Sequence, residues 1–299
     1  MFSFDLDQLS TPDGAGCACI LNNRDDGDPM RLDREEVIRL FKLHGAILFR
    51  GFTFGDEEGF RRFTERFGKD FFIHPSVNRQ MVGGDDTVQT VDYGAEPITL
   101  HGEFSYLPFP LRPEMGWFYC VRPTRRGGQT TICDGTQIAP RLSVEARELL
   151  ESRRLRFRMK FPDVIWQRFF QTGSVEEVLE FLRRHSIEEP FTMKDRILYL
   201  DHIAPGLKAP RFSDQVAFVN NTIFYHDRGE KMMAVFEEGD PLSDSLVAEL
   251  ARVADSLTAE VSWQEQDLLM FDNTRMLHGR RRLLDEERII YTRWCHASF

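Results

Sequence analysis

The chain has 299 residues, 41% of them hydrophobic and 29% charged, with a formal net charge of -10. That length can bury a large core, and no apolar run approaches the ~20 residues of a membrane-spanning helix. The acidic balance argues against a general nucleic-acid role, which needs a basic face.

Residues 1–32 are polar and turn-rich and read as an irregular lead-in, with one short strand near Ala18–Leu21. Met1–Asp7 carries neither a basic n-region nor a long apolar h-region, so no signal peptide is expected. Asp33 caps a predicted helix from Arg34 that Gly45 ends, and Ala46–Arg50 follows as a buried strand. A second helix is predicted from Asp56 to Phe67, with Phe60, Phe63 and Phe67 along one side. Residues 73–87 read as loop. Val88, Thr90 and Val91 suit a strand, and Pro97–Leu100 leads into His101. Three prolines exclude regular structure from 107 to 113.

Gly116–Val121 and Gln129–Asp134 are predicted strands joined by a basic glycine turn. Ser143 caps a short helix, and Arg154–Met159 alternates as a half-buried strand with its arginines toward solvent. Val175–Arg184 is a helix capped by Ser174, and Asp195–Leu200 and Gln215–Asn221 are strand candidates. Pro241–Thr258 is a surface helix with Asp240 as its cap. Leu268–Asn273 and Arg288–Trp294 close the chain as strands. Strands do not alternate with helices as repeated units, and no linker divides the chain. The expected fold is therefore mainly β with α, a double-stranded β-helix (jelly roll) with flanking helices, as one domain over 1–299. The five cysteines are odd in number and lack metal spacing, which fits reduced thiols and a cytoplasmic setting.

Two residues apart, His101 and Glu103 leave the same face of a strand. His278, just after the apolar strand that breaks at Asp272–Asn273, can complete the pair. Two imidazoles and one carboxylate with open positions opposite are the ligand set of non-haem Fe(II) oxygenases, although the same set also suits a zinc hydrolase. Arg288 opens the last strand, where a guanidinium grips a carboxylate with two prongs, and Thr130 can add a hydroxyl. Substrate-facing candidates are Phe104 and Tyr106 beyond the metal carboxylate, Asn220 and Asn221 at a strand end, His226, and Arg293.

His101-Gly102-Glu103, Gly127-Gly128-Gln129-Thr130, Phe271-Asp272-Asn273-Thr274-Arg275 with His278, and Arg288-Ile289-Ile290 together resemble the taurine dioxygenase-like (TauD/TfdA) family of Fe(II)/2-oxoglutarate-dependent oxygenases. The resemblance covers most of the chain. Glu103, where many members have aspartate, resembles the clavaminate synthase, asparagine oxygenase and syringomycin-cluster hydroxylase branch, and a carboxylate here argues against the related halogenases. It implies Fe(II) on His101, Glu103 and His278, the distal carboxylate of 2-oxoglutarate on Thr130 and Arg288, and O2 as oxidant. The implied reaction is hydroxylation of an unactivated carbon, or desaturation, cyclisation or epoxidation, with release of succinate and CO2. The implied substrate is an amino acid or a derived small metabolite of secondary metabolism, free or held on a carrier protein; a sulfonate or aromatic ether is the alternative. A family arginine that would match Arg293 is offset by one residue. No membrane or nucleic-acid partner is expected, and a homo-oligomer is compatible with the sequence.

Overall fold

The computed structural model describes residues 4–185, 191–285 and 287–299; Met1–Ser3 of the lead-in lie outside the described residues. The N-terminal segment is a hairpin of β1 (Phe4–Leu9) and β2 (Cys17–Gly27), and β2 runs parallel to β3 (Ala46–Phe52). This corrects the expected irregular lead-in. Cys17 to Leu21 are all buried, so β2 is covered on both faces and shows no alternation to read.

Between them lies α1 (Arg34–His44), whose first turn is held by the Asp33 carboxylate accepting the Glu36 N–H at 2.9 Å. The next helix, α2 (Glu57–Thr64), is shorter than expected. Its Gly59 permits close packing, because a Cβ there would stand 1.8 Å from the Phe54 carbonyl oxygen. The chain continues through β4 (Gly68–Phe72), β5 (Met81–Val82), β6 (Asp85–Thr90), β7 (Ile98–His101), β8 (Met115–Arg122) and β9 (Thr130–Asp134).

An insertion follows, made of α3 (Val144–Ser152), β10 (Arg154–Phe161), α4 (Asp163–Phe170), α5 (Val175–Arg184), β11 (Phe191–Lys194), β12 (Ile197–Pro205), α6 (Thr222–Asp227) and β13 (Ala234–Phe236). The strand expected at 215–221 is reduced to a single bridge from Ala217 to Lys208, because the Asn220 side chain accepts the Thr222 N–H and turns the chain into α6. Helix α7 (Asp244–Ser256) begins later than expected, capped by Ser243 rather than Asp240. The last strands are β14 (Thr258–Val261), β15 (Leu268–Asp272), β16 (Met276–Arg280) and β17 (Ile289–Ala297).

These strands form three sheets. The largest has the order β1-β2-β3-β15-β8-β17-β6-β5, with β4 also on β17; a second has β14-β9-β16-β7; the insertion contributes β11-β12-β10-β13. All pairings are antiparallel except β2 with β3. Ile132, Ala259 and Val261 of the second sheet pack in one cluster with Leu48, Phe271 and Trp294 of the first, which is the jelly-roll core. On the outer face of the large sheet, α1 and α2 cover Phe49 and Trp117, with Phe63 of α2 packed against both. The expected fold class stands: a largely antiparallel β core with helices outside. All five cysteines are free and buried, and among the described residues no helix is long and apolar enough to cross a membrane.

Candidate active site

Strand β16 lies between β9 and β7, and its register sets His278 directly opposite His101. Their rings are 4.3 Å apart between centroids. Gly279 lets β7 approach β16 closely, since a Cβ there would stand 2.4 Å from the Ile98 carbonyl oxygen. Glu103 follows β7 by two residues. One donor atom from each of His101, Glu103 and His278 lies within 4.8 Å of the others. His278 Nε2 is 3.9 Å from Glu103 Oε2.

Each ligand is oriented by a different device. The His101 Nδ1–H donates to the Thr99 carbonyl at 2.9 Å, which leaves Nε2 as the metal-facing nitrogen. Among the described residues the buried Nδ1 of His278 has no hydrogen-bond partner; Phe118, Phe271 and Trp294 hold its ring at 5.2–5.6 Å. Glu103 is fixed through its backbone: its N–H donates to Asn273 Oδ1 at 2.9 Å, and Asn273 Nδ2 donates to its carbonyl at 2.8 Å. The next residue, Phe104, has a left-handed backbone (φ 50°), a conformation costly for a side-chain-bearing residue, and the Asn273 contacts stabilise that turn.

The electrostatics suit a divalent cation. Burial alone raises the Glu103 carboxyl, but His74, Arg79 and His101 outweigh it and hold it well below the usual carboxylate range. His74 Nε2 stands 3.4 Å from Glu103 Oε1, and Arg79 stands 3.5 Å from Oε2. Burial, then the neighbouring His101, push His278 well below its ordinary value, so its imidazole is neutral and able to coordinate. Two imidazoles and one ionised carboxylate are a donor set that Fe(II) fits.

Arg288 and Thr130 meet as expected, at 3.0 Å from guanidinium to hydroxyl oxygen. Thr130 Oγ1 also accepts the Trp263 indole N–H at 3.0 Å. With two donors already on that oxygen, the Thr130 hydroxyl proton is free to donate outward. Among the described residues no carboxylate pairs with Arg288 and its Nε has no partner; burial and then Arg280 push it down to about 9. An isolated buried guanidinium of this kind is a receptor for an acid.

Triad, Arg288 and Thr130 share one cavity of about 560 Å³. Tyr106 and Asn221 are on its wall, with Asn221 fixed by the Ser105 hydroxyl at 2.6 Å. Four other candidates are not. Phe104 is buried beneath the site, stacked on His74 at 4.9 Å and edge-on to Phe169. Asn220 is spent on the α6 turn. His226 pairs with Asp244 at 3.0 Å. Arg293 faces the opposite side of β17 from Trp294, because strand side chains alternate. There it binds Asp85 at 2.7 Å and Thr64 at 2.8 Å and covers the Phe71 ring, so its hydrogen bonds are taken.

Sequence reasoning missed His74, Arg79, Trp263 and the clamp made by Asn273. The first two come from a loop without periodicity, and only the fold brings them to Glu103.

Comparison with known proteins agrees with this geometry. The family described as "Taurine catabolism dioxygenase TauD, TfdA family" matches residues 10–294. The dapdiamide synthesis protein DdaC of Enterobacter agglomerans is 21% identical over 259 residues, 79% of this chain and 78% of that protein. The 3-((Z)-2-isocyanoethenyl)-1H-indole synthase of Fischerella ambigua is 23% identical over 274 residues, 87% of this chain and 85% of that one. Among solved structures, PvcB of Pseudomonas aeruginosa superposes with a TM-score of 0.64 at 19% identity, covering 98% of this chain and 91% of that one. The chain thus belongs to the TauD/TfdA family and is an oxidoreductase, a dioxygenase of the Fe(II)/2-oxoglutarate class.

Proposed function

We propose that this enzyme hydroxylates an unactivated carbon of an amino acid or an amino-acid-derived small metabolite, with release of succinate and CO2. The observation that carries the substrate class is the cavity wall, which offers both signs of charge beside the triad. Arg79, paired with Asp92 and Glu103, still lines it with a buried NH1 that has no partner among the described residues, while Asp227 and Glu230 line it as acids. Tyr106, Met159, Phe224 and Tyr225 supply an apolar surface between polar groups. A small molecule with a carboxylate, an amine and a carbon skeleton suits such a wall. The names of the similar proteins, built on dapdiamide synthesis and an isocyanoethenyl-indole, point the same way.

In this reading His101, Glu103 and His278 hold Fe(II), and Arg288 with the outward Thr130 hydroxyl holds the distal carboxylate of 2-oxoglutarate. When bound, iron with 2-oxoglutarate and O2 supplies the power to oxidise an inert C–H bond. The protein's own work is positional. Arg288 orients the keto acid, His74 and Arg79 hold the Glu103 carboxylate ionised, and Tyr106 and Phe224 restrict where a substrate carbon sits. The chain acts as one catalytic domain in the cytoplasm, on a substrate either free or carried.

The test is mass spectrometry of candidate amino acids and derivatives incubated with enzyme, Fe(II), ascorbate and 2-oxoglutarate. A gain of one oxygen with matched succinate supports hydroxylation. A loss of two hydrogens assigns desaturation or cyclisation instead, and turnover with zinc under nitrogen without succinate would replace the reading with hydrolysis.

A further inference from the structure

A second cavity, about 430 Å³, shares no lining residue with the catalytic one. Its charged wall consists of Arg112, Lys208, Arg211 and Glu114, with His202 beside them. Arg211 and Glu114 cancel at 2.7 Å, and Glu114 also accepts the Ala297 N–H at 3.0 Å. Among the described residues the other two cations have no ion-paired acid, although Asp272 lies close enough to favour the charged form of Arg112. Arg112 makes one hydrogen bond, from NH2 to the Asn273 carbonyl at 2.7 Å, and its buried Nε has no partner. Among the described residues neither Arg112 nor the Lys208 ammonium makes an ion pair. Lys208 is joined to its surroundings only through its backbone, bridged to Ala217.

Arg112, whose Nε is buried without a partner among the described residues, and the exposed Lys208 ammonium put two positive charges in one pocket, and the Arg112 side carries the cost of burial. Burial pushes Arg112 down to about 10, and Lys208 is pushed down by burial and then by Arg112 itself. An anion of charge two would relieve both, whereas a single carboxylate would leave one cation uncompensated. The cavity is far larger than one tetrahedral anion, and Leu107, Phe109, Phe157 and Val219 give it apolar walls.

We propose that this second cavity binds a small organic phosphate monoester, with Arg112 and Lys208 on the phosphate and the apolar walls on its organic group. Arg112 reaches the Asn273 carbonyl, and Asn273 clamps Glu103, so the site is one residue removed from the metal loop.

The experiment is calorimetric titration of the full chain under nitrogen, with Fe(II) and 2-oxoglutarate in excess so that Arg288 is not the site measured. The probes are phenyl phosphate, inorganic phosphate and benzoate. Phenyl phosphate is expected to bind saturably, one per chain, and about tenfold tighter than either control. Lys208→Gln is expected to weaken it about tenfold with an unchanged thermal midpoint, since this side chain is exposed; Arg112→Gln should weaken it at least as much. Absence of saturable binding, or equal binding by wild type and Lys208→Gln, overturns the proposal. Inorganic phosphate binding as tightly as phenyl phosphate overturns the ester, and benzoate doing so overturns the match to a dianion.

Discussion

Asn273 and Glu103 are 170 residues apart in the chain, yet the Asn273 side chain accepts the Glu103 N–H and donates to the Glu103 carbonyl. A third bond from the same amide, to the Pro113 carbonyl at 2.8 Å, fixes its orientation. The metal carboxylate is thus positioned by a side chain that never touches the metal site's donor atoms.

Asn273→Ala is therefore expected to weaken Fe(II) binding roughly 10–100-fold, the usual range for supporting partners of metal ligands. Anaerobic titration of Fe(II), followed by the visible band formed with 2-oxoglutarate, measures it. Unchanged affinity would show that the clamp is dispensable.

His278→Ala should abolish both that band and succinate formation. The variant retains its large-sheet core, so its far-ultraviolet dichroism should match wild type. Full iron-dependent turnover by this variant would remove His278 from the ligand set.

Arg288→Lys should raise the KM for 2-oxoglutarate about 10–100-fold, because an ammonium cannot reproduce a two-pronged contact and charged hydrogen bonds contribute about 1.5–3 kcal/mol. Initial rates against 2-oxoglutarate concentration decide it. A normal KM would place the co-substrate acid elsewhere.

Asp272 supplies a pH signature of stability. Burial raises its carboxyl from 3.8 to about 6, against the lowering effect of its bonds from Thr274. In the unfolded chain the proton leaves first, so as pH rises from about 4 to 6 the native state loses stability from this group, and the loss is complete above 6. At 1.36 kcal/mol per unit the loss is roughly 3 kcal/mol. Asp272→Asn should flatten this part of the profile. Denaturant midpoints of both proteins between pH 4 and 8 test it, and parallel profiles would refute the assignment.

The triad was legible because its chemistry is carried by residue types at fixed spacing, although Glu103 lies in the turn just past β7 and not on a strand with His101. The jelly roll followed from strand runs that alternate or stay apolar. What resisted reading depended on partners distant in sequence. Arg293 was a candidate although a family arginine is offset from it by one residue, and its side of β17 is set by strand alternation and by α2 packing against it. The β1–β2 hairpin escaped because β1 leaves Asp5–Gln8 exposed while Cys17–Leu21 of β2 are all buried, so neither strand shows alternation. His74 had no motif around it, and its value comes only from standing 3.4 Å from a carboxylate folded in from another segment.

The placement of β16 between β9 and β7 has a consequence for how the enzyme matures. Both imidazoles and the Thr130 hydroxyl ride on three adjoining strands, so their mutual placement depends on all three being paired. A half-folded chain has no half-strength binding site to offer. Iron uptake is then expected to report completed pairing of β7, β9 and β16.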